Sequence, residues 1–163
     1  MSISRDIMNV QLSVESTQQE PLVWLDNFIQ VYSQLSVDNL ALLDKVYHED
    51  ILFTDPMHSV QGFDQLKKYF NSLYTNLESC SFNIVQVIHE GNQAAIYWKM
   101  TFVHPKLSNG CEIEVLGNSQ LQGCEEKVIY QRDFFDLGAM LYQHLPLVGR
   151  LIGFIKNRAA SYV

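Results

Sequence analysis

The chain changes rhythm at Ser81. Before it, apolar residues recur at helical spacing. After it, they alternate. In AAIYWKMTFV, residues 94–103, one face carries Ala94, Ile96, Trp98, Met100 and Phe102. The other carries Ala95, Tyr97, Lys99, Thr101 and Val103. A period of two is the signature of a half-buried strand. The same reading gives strands at 81–90, from about 111 to 122, and at 127–136. Their connections are short: Glu90-Gly91-Asn92, Asn109-Gly110, and the turn at 123–126. Short connections require antiparallel pairing. A run of four such strands commits this half of the chain to one sheet.

The first half reads differently. Pro21 suits a helix start, and Leu25, Phe28, Ile29, Tyr32 and Leu35 then lie on one helix face. Asp38 or Asn39 can cap a second, short helix with Leu40, Leu43 and Val46 on its face. Ile51–Thr54 is a short strand. Gly62 and Asp64 open a third helix faced by Phe63, Leu66, Phe70, Leu73 and Leu77. The expected architecture is α+β: a cone-like curved antiparallel sheet with three N-terminal helices on one side, enclosing a pocket. Three stretches are expected: a polar N-terminal arm (1–20), the main domain (21–138) and a C-terminal amphipathic helical extension (139–163). In the extension Leu147, Val148, Leu151, Ile152 and Ile155 have helical spacing after Pro146. It is expected to dock on its own protein near the pocket mouth. A lid, or a surface for lipid-like ligands or an anionic membrane, is the sharper alternative.

Composition narrows the partners. The formal net charge of −7 disfavours nucleic acid. Residues 139–163 hold Arg150, Lys156 and Arg158 and no acid, a tail of +3, which leaves −10 elsewhere. Cys80, Cys111 and Cys124 are odd in number and lack CxxC spacing, which favours reduced thiols and a cytoplasmic setting. The five histidines show no ligand spacing, so no metal or cofactor is expected.

ILFTDPMHSVQG, residues 51–62, is where chemistry is expected. An apolar run delivers Asp55, Pro56 fixes the backbone behind it, and His58 follows. Asp55 is either a turn acid holding backbone amides or a carboxylate desolvated by Trp98 and Phe102, which suits a general base. Asp133, in QRDFFD, shares its strand face with Gln131 and Phe135.

These residues also carry a resemblance. EDILFTDP, AAIYWKMTF and GCEEKVIYQRDFFD, in that order, make residues 22–137 similar to the SnoaL-like, nuclear transport factor 2-like superfamily. The resemblance implies the cone fold with its pocket. It covers isomerases, cyclases, hydrolases and non-catalytic modules alike, so it does not fix a reaction. In ketosteroid isomerases the aspartate matching Asp55 is the proton-shuttling base, and the pocket wall matches Trp98, Met100 and Phe102. The tyrosine of the oxyanion hole falls on Val31 in a gapless match and on Tyr32 with a one-residue gap. The acid that completes that hole is replaced by Gly117, with Ser119 two residues on. An aspartate at the Asp133 position acts as acid or base in some relatives. The epoxide hydrolases' Asp-Arg-Asp set lacks its arginine here, because Arg132 alternates to the outer face.

Two functions follow as expectations. One is a cofactor-independent isomerase, cyclase or hydrolase for a small apolar or lipid-like molecule. Asp55 is its general base, Asp133 and Tyr32 assist, and Trp98, Met100, Phe102, His58, Gln131 and Phe135 form the ligand contacts. The other is a non-catalytic ligand-binding or dimerisation module. Either is expected as a homodimer through the outer sheet face, where Tyr97, Thr101 and Val103 mix with Glu112 and Glu114.

Overall fold

The computed structural model of the chain describes residues 22–160. The expected polar arm, 1–20, lies outside them.

A six-stranded sheet forms the body. Its strands are β1 (Tyr47–Thr54), β2 (Ser59–Gln61), β3 (Ser79–Glu90), β4 (Gln93–Val103), β5 (Ile113–Cys124) and β6 (Lys127–Phe135), in the spatial order β2-β1-β6-β5-β4-β3. The four alternating segments pair as the short turns demand, β3 with β4, β4 with β5 and β5 with β6, all antiparallel. One pair departs from the expected antiparallel sheet. β1 runs parallel to β6, with Phe53 opposite Gln131. The long stretch of chain between these two strands leaves their relative direction free of any hairpin constraint. The expected strand at 51–54 is the end of β1, which turns straight back into β2. That hairpin was hidden by its three-residue second strand. Register shifts between Ile84 and Gln86 and between Gln122 and Gly123 mark irregularities that bend strands, and the sheet curves.

α1 (Val23–Tyr32) and α2 (Phe63–Tyr74) cover the concave face. Between them the second expected helix is a 3-10 helix, Leu40–Lys45. α1 buries Trp24, Leu25, Phe28, Val31 and Tyr32. Trp24 and Val31 were not on the expected face. Trp24 finds its place because residue 123 is glycine: a Cβ there would stand 2.3 Å from the indole. On β4 the buried residues are Ala94, Ile96, Trp98 and Phe102, which confirms the alternation. They join Phe28, Leu43, Ile51, Leu66 and Val115 in one core.

The last segment divides in two. α3 (Leu137–Met140) and the turn after it place Met140, Leu141 and Leu145 against the core. α4 (Pro146–Ala160) does not follow them. Leu147, Leu151, Phe154 and Ile155 are 79%, 60%, 61% and 55% exposed, so the docking expected of this helix is not made. Gly149 accounts for its orientation. A Cβ at 149 would stand 2.2 Å from the Gln143 carbonyl oxygen. The helix therefore rests its glycine side on the 142–144 turn, and its large side chains point elsewhere. No helix among the described residues is long and apolar enough to cross a membrane.

Candidate functional site

A cavity of about 130 Å³ lies between the concave sheet face, α1 and α2. Its wall is aromatic, with Tyr32 from α1, Phe70 and Tyr74 from α2, and Phe82, Trp98 and Phe102 from the sheet. Met100, Phe135 and Met140 complete the apolar surface. Two carboxylates reach it, Asp55 and Asp133, and no lysine, arginine or histidine lines it among the described residues. The volume is close to the roughly 150 Å³ that accommodates a benzene ring in an apolar protein interior.

Asp55 sits in the β1–β2 hairpin loop. Its N–H donates to the His58 carbonyl at 2.9 Å. Its Oδ1 accepts from the backbone N–H groups of Met57 and His58 at 2.7 and 2.8 Å, an Asx turn that Pro56 helps to set. Its Oδ2 accepts from the Tyr69 hydroxyl of α2 at 2.5 Å. Asp55 therefore holds a turn and also lines the cavity. Three donors thus load both of its carboxylate oxygens. Burial, then Asp55 itself, pushes the Tyr69 hydroxyl far above its ordinary pKa, so it remains a donor. The His58 ring is exposed and packs on Tyr69, with centroids 5.0 Å apart, outside the cavity wall. His58, expected among the ligand contacts, is not part of the cavity lining.

Asp133 is held by side chains alone. Ser119 Oγ donates to its Oδ1 at 2.6 Å and Gln131 Nε2 donates to the same oxygen at 2.8 Å. Each donor is itself fixed. Trp98 Nε1 donates to Ser119 Oγ at 2.9 Å. Tyr47 donates to Gln131 Oε1 at 2.7 Å, and the Tyr32 hydroxyl bonds to that of Tyr47. With the Tyr47 proton committed to Gln131, Tyr32 is the donor to Tyr47. Two chains of dipoles thus converge on one oxygen, through residues as buried as Ser119 at 1% and Gln131 at 0% exposure. Oδ2 has no hydrogen bond among the described residues. Burial raises the Asp133 carboxyl to about 7; the Ser119 and Gln131 donors oppose the rise and the Asp55 charge adds to it. Burial, then the Asp133 charge, raises the Tyr32 hydroxyl well above its ordinary range. Burial also lifts the cavity thiol, Cys80, to about 11, which keeps it protonated and unreactive at neutral pH.

Tyr32, not Val31, is the α1 residue that reaches the cavity, since Val31 is packed in the core. Trp98, Met100, Phe102 and Phe135 line the wall as expected, whereas Gln131 is buried behind Asp133. Gly117 explains why no acid stands beside them. A Cβ there would lie 2.3 Å from the Trp98 ring, so the indole occupies the space an acidic side chain would need. Arg132 lies outside, stacked 5.1 Å from the Phe134 ring. Sequence reasoning missed Tyr47 and Tyr69. Tyr47 precedes the strand as read, while Tyr69 is on α2 but off the apolar face counted for it. A tyrosine next to a cavity-facing Phe70 was the available signal.

The model of the SnoaL-like domain family matches residues 28–118, more than half of the chain. The chain belongs to the SnoaL-like domain family. No curated protein matches it. Among solved structures, a provisionally described SnoaL-like polyketide cyclase from Jannaschia sp. CCS1 superimposes with a TM-score of 0.65 at 14% identity, covering 76% of this chain and 93% of that one. A protein of ketosteroid isomerase-like fold from Catenulispora acidiphila DSM 44928, in complex with trimethylamine, gives 0.63 at 14% identity over 74% and 91%. An LEH-like epoxide hydrolase from M. tuberculosis gives 0.58 at 10% identity over 73% and 80%. At these identities the likeness is one of fold, and the unclosed, curved sheet under helices is the SnoaL-like cone.

Proposed function

We propose that this SnoaL-like protein moves a proton on a small, neutral, mostly apolar molecule, without a cofactor, and that Asp133 is the base. One observation carries the proposal. Asp133 Oδ1 takes both side-chain donors, so Oδ2 is the oxygen left for a cavity that Asp133 lines. A carboxyl near 7 can take up and release a proton at neutral pH. In this scheme Oδ2 removes a proton from carbon beside a carbonyl, the carboxyl becomes neutral, and the same proton returns at a second position. Tyr32 turns its hydroxyl from Tyr47 to the substrate oxygen. Asp55 stands at the other end of a cavity that no cation lines among the described residues, an arrangement that disfavours anionic substrates. One ring is the enclosed part, and the half-open cavity lets a substituent protrude.

The second reading, binding without turnover, is favoured by one feature. The donor that could steady an enolate is already engaged with Tyr47, and Trp98 fills the space over Gly117. Deuterium exchange separates the two. Enolisable cyclic ketones in heavy water, followed by NMR, should exchange faster with the wild type than with Asp133→Asn. Equal rates refute proton transfer, and mass spectrometry of a co-purified apolar molecule would then support the binding module.

We infer further that a second copy covers the outer sheet face. Tyr97, Leu116 and Phe134 are 41%, 72% and 43% exposed there. They are brought together by pairing with Asn118 and Lys99 across the β4–β5–β6 register. A strictly monomeric species in sedimentation at micromolar concentration would exclude this surface as a stable dimer interface.

A further inference from the structure

α4 leaves a run of large apolar residues exposed. At 3.6 residues per turn, Phe154, Leu147, Leu151, Ile155 and Val148 share an arc of about 120°, which Arg158 enters only at the C-terminal end of the helix. All five are exposed. On the same geometry Arg150 lies about 40° beyond one edge of the arc and Lys156 about 80° beyond the other. Gly149, on the far side, rests against the Gln143 backbone. With the Gln143 amide turned to satisfy both of its neighbours, its side-chain oxygen can accept from Lys156 Nζ at 2.8 Å. From Leu137 onward the sequence has no acid at all.

Three occupants compete for this arc. Its own core is served by Met140, Leu141 and Leu145, and the helix is turned away from it. A second copy offers two surfaces, α4 itself and the outer sheet, and neither presents an unpaired acid in register with the helix cations. Pairing α4 with α4 sets arginines and lysines against each other without an acid. The exposed patch on the outer sheet is of mixed charge: Lys99 beside Leu116 is already paired with Glu114 at 2.7 Å, and Arg132 stacks on Phe134. The third occupant is layered as the helix is, apolar below and anionic above. An apolar arc flanked on both sides by long cationic side chains is the pattern of a helix lying in a bilayer interface, where the stems follow the acyl chains and the heads meet phosphates.

We propose that α4 docks this protein on anionic membrane surfaces. The helix inserts Leu147, Leu151, Phe154 and Ile155 shallowly, with Arg150 and Lys156 among the lipid headgroups. Met140, the last residue of α3 and a few residues before α4, lines the cavity, so docking brings the cavity wall near the lipid. The proposal stands independently of the chemistry assigned to Asp133.

Vesicle flotation of the full chain tests it. The vesicles are phosphatidylcholine alone, or phosphatidylcholine with about one third phosphatidylglycerol. The wild type should float with the anionic vesicles and release in high salt. Leu151→Asp with Phe154→Asp, both at exposed positions, should lower the bound fraction at least about tenfold with an unchanged melting temperature. Arg150→Glu with Lys156→Glu should do the same. Failure of the wild type to float, equal flotation with both vesicles, or flotation that survives the aspartate pair overturns the proposal. A change from dimer to monomer in the aspartate pair, without lipid binding by the wild type, assigns the arc to a second copy instead.

Discussion

Asp55 and Asp133 face the same cavity but are held by opposite means. The hairpin holds Asp55 through two backbone amides and a tyrosine, which load both of its oxygens. The sheet holds Asp133 through side chains anchored in the core, loads one oxygen and leaves the other unbonded. A carboxylate fixed by its own backbone turn is part of the scaffold. One suspended from a buried side-chain network, with a raised pKa, is available for proton transfer. This contrast is why the proposed function gives the base to Asp133, although the sequence resemblance pointed to Asp55.

The largest test of that contrast is its loss of activity. Against any substrate found by exchange, Asp133→Asn should lower turnover by about 10²–10⁴-fold, the span of general base catalysis. The amide oxygen introduced by that change can still accept from Ser119 and Gln131, so the fold should persist. Asp55→Asn should cost less in turnover than in stability. The reverse ranking would return the base to Asp55.

The two carboxyls also predict a pH signature. Folding raises Asp133 from 3.8 to about 7. The native protein therefore holds a proton that the unfolded chain has released. This contribution to stability is complete below pH 3.8 and is lost as pH rises through about 7. At about 1.4 kcal/mol per unit, less a discount for partial exposure, it amounts to roughly 3 kcal/mol. Urea midpoints of the wild type minus those of Asp133→Asn should fall across that window. A flat difference would mean that Asp133 titrates as an ordinary carboxylate.

Next in size is Gly117→Ala. Its methyl would overlap the Trp98 ring, and crowding of that kind costs about 1–3 kcal/mol. The displaced indole should also loosen Ser119, and the Asp133 pKa should rise further as that donor weakens. An unchanged melting temperature would show that Trp98 has room to move.

The sheet was legible because period-two alternation and short turns act locally. Trp98, Met100 and Phe102 could be assigned to the inner face from β4 alone. The parallel β1–β6 pair was not legible, since its register depends on strands far apart in the chain. Of the site, the two aspartates could be named but not ranked. Their difference lies in Tyr47, Ser119, Gln131 and Tyr69, partners from four separate elements that meet only after folding. α4 was read correctly as a helix. Its exposure was missed, because helical spacing reports an apolar face and not what covers it.

The smallest effect tests the Asp55 end. Tyr69→Phe removes one hydroxyl and keeps the ring contacts with Phe53 and His58, at 5.9 and 5.0 Å between centroids. Asp55 retains its two amide bonds, and its loop is partly exposed to water, so the lost bond should cost about 1 kcal/mol. Turnover should change little, since Asp133 keeps every partner. A double-mutant cycle with Asp55→Asn isolates the pair. A coupling of about 1 kcal/mol identifies Tyr69 as the clasp that ties the hairpin to α2. Additive losses would mean that the hairpin turn holds Asp55 unaided, and that the tyrosine contributes only its ring to the packing around it.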